Sequence, residues 1–141
     1  MIEIVNRQRK IKINAKSWRE FTETAIGSVS EAKGKSFTLA FVSDKKMREL
    51  NSFFRGKNTT TDVLSFPFEA DEFDIEKNNL GDVVISLEQA AKQATENNLT
   101  FETEIKQLVL HGILHLCGYD HETDAGEMNA RELELRDKLE I

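Results

Sequence analysis

The chain has 141 residues and a formal net charge of −6, and 39% of its residues are hydrophobic while 31% are charged. This composition excludes a disordered or fibrous protein, and the length suits one domain with a substantial core. The single cysteine excludes a disulfide framework within the monomer and favours a reducing compartment, so we expect a cytoplasmic location. No apolar run is long enough for a signal peptide or a membrane span, so no membrane partner is expected.

The charge is distributed unevenly along the chain. Residues 1–60 carry 13 basic and 6 acidic side chains, whereas residues 61–141 carry 6 basic and 19 acidic ones. The acidic total alone argues against a nucleic-acid partner. A local basic excess can nevertheless mark a surface that faces a polyanion, with evenly mixed charges on the folded surface as the alternative. If the first interpretation holds, the basic residues of 1–60 should form one wall of a cleft, away from the acidic 71–76 loop.

Hydrophobic periodicity and capping residues predict strands and helices that follow one another without repeats or linkers. The predicted elements are strands over 2–6, 36–42, 62–66 and 81–86, and helices over 15–28, 45–54, 87–97, 101–117 and 124–139. Pro67 should confine the third strand to a sheet edge or to a strand end. The pattern predicts a single domain over 1–141 in which helices surround a small sheet.

All three histidines of the chain fall within an 11-residue window that begins at His111. His111 and His115 lie about one helical turn apart, so their side chains should face the same side. Gly118 is suited to end the helix, and the chain then presents His121. The spacing is that of the long zincin motif, His-x-x-x-His-x-x-Gly-x-x-His, in which neutral imidazoles bind zinc. The cluster therefore predicts one Zn²⁺ held by three nitrogens.

Three histidine ligands leave a fourth position for water, which is typical of a catalytic zinc site. Cys117 could close the site, but it lies about 200° from His115 around the helix and is predicted to be a small buried hydrophobe. Asp120 could be a ligand or could orient a histidine ring. Gly112 stands where zinc proteases carry their general-base glutamate, so peptide hydrolysis by the usual route is disfavoured.

A second candidate site lies where the 45–54 helix ends and the chain turns into the next strand. Arg55 offers a guanidinium fork suited to phosphate and to the charge of a phosphoryl transition state, with a solvated helix-terminal arginine as the alternative. Phe53, Phe54 and Phe66 are predicted to lie in the core, although an exposed ring could stack on a base. Asp62 is interpreted as a turn or capping residue.

Together these motifs resemble the YbeY family of bacterial endoribonucleases and rRNA maturation factors. The matching stretches, in the family's order and approximate spacing, are 55–56, 61–67, 81–86, 111–121 and Met128. The resemblance implies an α+β fold with a mixed four-stranded sheet, flanking helices and a zincin-like metal site. It also implies a single-strand-specific, zinc-dependent endoribonuclease that acts in maturation of the 16S rRNA 3′ end and in ribosome quality control. Its partners would be single-stranded rRNA and the small ribosomal subunit.

The combined hypothesis is that His111, His115 and His121 hold one Zn²⁺ while Arg55 positions the scissile phosphodiester and stabilises its developing charge. One alternative is a non-catalytic ribosome assembly factor whose zinc ties the last helix to the domain. Another is a hydrolase of peptides or small amides that takes its base from an acidic side chain distant in sequence. The sequence leaves open the nucleophile, the proton acceptor, the RNA sequence preference and the oligomeric state.

Overall fold

Four strands and five helices alternate irregularly along the residues that the computed structural model describes, which are 1–68, 78–120 and 122–141. In chain order they are β1 (Ile2–Asn6), α1 (Ala15–Ser28), β2 (Ser36–Val42), α2 (Asp44–Arg55), β3 (Val63–Pro67), β4 (Asn79–Ser86), α3 (Leu87–Glu96), α4 (Phe101–Leu116) and α5 (Glu127–Leu139). Within this described part, no helix combines the length and the apolar character needed to cross a bilayer.

The strands form one mixed sheet in the order β1-β2-β4-β3. β2 pairs in parallel with both β1 and β4, whereas β3 pairs antiparallel with β4. β3 is an edge strand and Pro67 is its last residue, a position that tolerates the missing N–H. The predicted α+β fold with a mixed four-stranded sheet flanked by helices is therefore confirmed.

The main core lies between one face of the sheet and the helices α1 and α4. Its largest fully buried side chains from the sheet and from α4 are Phe37, Leu39, Phe41, Ile85, Ile105, Leu110, Ile113 and Leu114. α4 is apolar around most of its circumference, because it is enclosed by the sheet, α3 and α5. The two histidines of α4 are thus carried by a helix that is buried over much of its surface.

α2 packs on the opposite face of the sheet, over a smaller cluster that includes Met47 and Leu64. Ser43 caps its start by accepting from the N–H of Lys46, and a left-handed Gly56 with φ of 67° ends it. Residues 52–59 are exposed. The prediction that Phe53 and Phe54 lie in the core is therefore wrong, because the buried cluster does not reach the last turn of α2.

The start of α5 also differs from the prediction of a helix over 124–139. Gly126 has a φ of 104°, which is incompatible with a helix, so α5 begins at Glu127. The N-cap position itself is Gly126, which has no side chain, and Asp124 two residues earlier supplies the capping acceptor. Its carboxylate accepts from the N–H groups of Gly126 and Met128 at 2.8 and 3.0 Å. The other element boundaries agree with the predicted ones to within two residues.

Candidate active site

The two histidines of α4 lie next to each other on this helix, which packs on the sheet. The ring centroids of His111 and His115 are 4.8 Å apart and the ring planes meet at 74°. Both rings line a cleft of about 460 Å³ that opens to solvent beside β3. The helical spacing therefore brings the two imidazoles to one side, as expected. His121 lies outside the described residues, so its place beside them stays a prediction.

Arg55 lines the same cleft as the two histidines. It is the last residue of α2, and the left-handed turn at Gly56 directs the chain from there towards β3. Its side chain is exposed, and within the described part of the chain it forms no salt bridge. Tertiary folding thus brings a guanidinium available for an anion to the opening that holds His111 and His115.

One residue of this site, Glu132 on α5, was not predicted from the sequence. The Nδ1 N–H of His111 donates to one carboxylate oxygen of Glu132, and Arg136 donates from Nη2 to the other at 3.2 Å. Glu132 is only 5% exposed. A carboxylate bound to Nδ1 fixes the tautomer in which Nε2 carries the lone pair, which is the arrangement found behind metal-binding histidines. Glu132 therefore sets the orientation and tautomer of His111.

A sequence signal for Glu132 does exist. It lies four residues after Met128 and three before Leu135, and both of these neighbours on the helix are fully buried. A carboxylate on the apolar face of a helix needs a polar partner, because burying it unpaired is unfavourable. The partner here comes from α4, 21 residues away, so the helical pattern alone could identify Glu132 as unusual but could not name His111.

The glycine that replaces the protease glutamate has a packing reason. A Cβ at position 112 would lie 2.6 and 2.9 Å from the two methyl groups of Val83 on β4. Ordinary carbon–carbon contacts are about 3.5–4.0 Å, so position 112 has no room for any side chain. Gly112 therefore lets α4 lie directly on the sheet, and a general base cannot come from this position.

Cys117 and Asp120, the two other candidates near the histidines, have separate roles. Cys117 packs against the core, and burial raises the pKa of its thiol to about 11, so it is neutral at physiological pH. Asp120 lines the cleft, and its carboxylate accepts from the N–H of Glu122 at 2.9 Å within the turn after α4. Whether Asp120 also orients or binds a metal stays a prediction.

Comparisons with known proteins identify the family. The family model described as Endoribonuclease YbeY matches residues 3–140. Two proteins named Endoribonuclease YbeY are similar over most of the chain. That of Thermodesulfovibrio yellowstonii is 38% identical, and the match covers 96% of this chain and 93% of the relative. That of Clostridium beijerinckii is 35% identical, and the match covers 100% of this chain and 98% of the relative. The chain belongs to the YbeY family.

The solved structure of TM1509 from Thermotoga maritima agrees in fold, with a TM-score of 0.67 and 32% identity over 99% of this chain and 89% of that one. The prediction of a YbeY-family endoribonuclease is confirmed. Membership of this metalloenzyme family also supports a metal cofactor. Among residues 1–68, 78–120 and 122–141 there is no group of three potential ligands arranged around one point, and the third predicted ligand, His121, is not among them.

In this member of the YbeY family, a second cleft of about 550 Å³ adjoins the first. The two share Asp62, Val63 and His111, and the second continues towards Gln107 and Arg136. Asp62, interpreted from the sequence as a turn or capping residue, lies between the two clefts and lines both. Together the clefts form a groove that passes His111.

The basic residues of 1–60 do not form a single wall of this YbeY-family cleft. Among the described residues that line the first cleft, Arg55 is the only one of them. Lys45 and Arg48 line a separate groove on the outer face of α2, and Lys12 lines a third beside Trp18. The predicted basic wall is thus wrong: Lys45 and Arg48 share α2 with Arg55 but line a different groove, and Lys12 lies outside α2, before α1. The acidic 71–76 loop lies outside the described residues.

Proposed function

We propose that this chain is a zinc-dependent endoribonuclease that cleaves single-stranded RNA in the cleft between α4, β3 and the end of α2. The observation that carries the proposal is the meeting of Arg55 with His111 and His115 in one open cleft. These residues come from separate parts of the sequence and combine metal-ligand chemistry with phosphate-binding chemistry. The family model described as an endoribonuclease supports the same reaction.

The side chains of the cleft fit a single divalent metal. Two imidazoles lie 4.8 Å apart by ring centroid, and His111 is oriented by the buried carboxylate of Glu132. His111, His115 and His121 would hold one Zn²⁺, since imidazole nitrogen is a preferred zinc donor and three such ligands leave a position open. When bound there, the metal supplies Lewis-acid stabilisation of the negative charge on phosphate oxygens.

Arg55 binds the scissile phosphodiester and stabilises the charge that develops on it. A guanidinium offers two parallel N–H donors to a phosphate and stays charged at every physiological pH. Because Arg55 has no salt-bridge partner in the described part of the chain, it needs no internal ion pair to break before it binds substrate. Its position at the mouth of the cleft lets it hold the phosphodiester against the histidine side.

The shape of the groove favours a single strand. The two adjoining clefts measure about 460 and 550 Å³ and share the residues around His111. An unpaired strand can follow such a groove with its bases turned out, whereas a base-paired helix presents a stiff, wide surface. The substrate is rRNA, at the maturing 16S 3′ end on the small ribosomal subunit. The reaction takes place in the cytoplasm, where ribosomes are assembled.

The test is cleavage of a labelled single-stranded RNA by the purified protein beside Arg55→Ala and His115→Ala. Removal of the Arg55 guanidinium should lower kcat/KM by about 100-fold or more, as loss of a transition-state charge contact does. Arg19→Ala provides a matched control, since it removes an exposed guanidinium from α1, a helix that does not line the cleft. Cleavage that is undiminished in Arg55→Ala and His115→Ala would remove the proposal.

A further inference from the structure

Two neighbouring phenylalanines at the C-terminal end of α2 are exposed to solvent. Phe53 is 81% exposed and Phe54 is 56% exposed. Exposed aromatic side chains that adjoin one another on a folded protein are typical of a binding surface. The α4 cleft does not use them, since neither ring lines it.

The exposed rings are held in place by ring contacts. The centroids of Phe53 and Phe54 are 4.8 Å apart at 77°, and those of Phe54 and Phe66 are 5.0 Å apart at 64°. Phe66 lies on β3, next to Ser65, which lines the active-site cleft. These edge-to-face contacts fix a continuous aromatic series from the helix surface to the edge strand. We call Phe53, Phe54 and Phe66 the phenylalanine platform.

The exposed end of this platform lies in a region with a net positive charge. Phe53 lines a groove of about 540 Å³ together with two cations, Lys45 and Arg48, and one anion, Glu49. Residues 45–57 contain five basic side chains and one acidic one, in a chain whose net charge is −6. An apolar surface for a protein partner would not require this local excess of cations. Aromatic rings set among cations match a ligand that combines flat π faces with a negative backbone.

We propose that the phenylalanine platform stacks nucleobases of single-stranded RNA just outside the active-site cleft. The proposal rests on the proposed function, because the strand must enter the cleft where Arg55 lies. Arg55 directly follows Phe54 on α2, and the ring contacts of Phe54 extend to Phe66, the neighbour of the cleft residue Ser65. A strand whose phosphate is bound by Arg55 therefore leaves the cleft beside Phe54 and continues over the platform. Lys45 and Arg48 then bind its phosphates while the rings stack its bases, as in other single-strand grooves.

The experiment compares wild-type protein with Phe53→Leu, which keeps an apolar side chain but removes the ring. Phe53→Trp restores a stacking surface, and Leu133→Ala is a control because Leu133 is another exposed apolar residue, 54% exposed on α5. Two substrates are used: a single-stranded RNA of about 12 nucleotides, within the usual range of site sizes, and a dinucleotide with one phosphodiester. The longer RNA carries 2-aminopurine, whose fluorescence is quenched by stacking.

For Phe53→Leu we expect KM for the longer RNA to rise about fivefold or more, with kcat unchanged and with loss of the quenching on binding. Dinucleotide cleavage should not change, and Phe53→Trp should keep the wild-type KM. The same KM and quenching in wild type, Phe53→Leu and Leu133→Ala would overturn the proposal. If wild type cleaves no RNA, the proposed function fails. The quenching titration then tests base stacking by itself: quenching that is lost in Phe53→Leu supports the platform, and equal quenching in both proteins overturns it.

Discussion

Glu132 offers the sharpest test of the site, through the substitution Glu132→Gln. The carboxylate bridges two donors, Nδ1 of His111 and Nη2 of Arg136. A glutamine amide has one acceptor oxygen and one NH₂ group, so it can accept from only one of the two and must point a donor at the other. If the amide turns its NH₂ group towards His111, the ring loses the partner that fixes its tautomer. If it turns the oxygen towards His111, its NH₂ group faces the N–H donors of Arg136, and this donor-to-donor contact displaces the amide.

Loss of such an orienting carboxylate weakens metal binding about 10–100-fold, or about 1.4–2.8 kcal/mol. We therefore expect the Zn²⁺ dissociation constant of Glu132→Gln, measured by competition with a chromogenic chelator at neutral pH, to rise by that factor. Glu134→Gln is the matched control: it removes the same charge from the same helix, but its side chain is 70% exposed and pairs only at the surface with Arg131. Equal Zn²⁺ affinity in wild type, Glu132→Gln and Glu134→Gln would refute the role of Glu132.

Three further predictions concern packing and chemistry in α4, in the turn after it and at the start of α5. Gly112→Ala should lower the free energy of unfolding, measured in urea, by about 1–3 kcal/mol through overpacking against Val83, despite a gain of about 1 kcal/mol in helix propensity. A variant more stable than wild type would show that the close contact with Val83 does not exist. Because the pKa of the Cys117 thiol is about 11, its alkylation at pH 8 should be about 100-fold slower than that of a free cysteine, and the rate should increase as the pH approaches 11. Alkylation of Cys117 at the rate of a free cysteine would contradict the burial of the thiol. Asp124→Ala should lower the unfolding free energy by about 1 kcal/mol through loss of the α5 cap, whereas an unchanged value would show that the cap contributes nothing.

The features that the sequence predicted well depend on local geometry. His111 and His115 face the same side because of the helical repeat, and Ser43 and Gly56 bound α2 through local hydrogen bonds and backbone conformation. Pro67, which cannot donate to a sheet ladder, predicts a sheet edge or a strand end, and it lies at the end of the edge strand β3. In each case the deciding interaction lies within a few residues.

The features that the sequence missed depend on which elements meet in space. Glu132 was overlooked because its partner is on another helix, and Phe53 and Phe54 were predicted to be buried because hydrophobicity does not reveal how far a helix is covered. The basic residues of 1–60 share a sequence region, but in the folded chain they line separate grooves. Arg55 could be proposed from its chemistry, whereas its presence beside the histidines depends on the tertiary fold.

The central claim is that a metal bound at the histidine cleft is needed for RNA cleavage and not merely for folding. The most direct measurement follows zinc content, helical circular dichroism and single-stranded RNA cleavage together as the purified protein is titrated with a chelator and then reloaded. We predict one zinc per chain, loss of cleavage in step with loss of zinc while the helical signal persists, and recovery on reloading. Cleavage that continues in zinc-free, folded protein would contradict the claim. Unfolding that accompanies every loss of zinc would contradict it as well and would favour a structural metal.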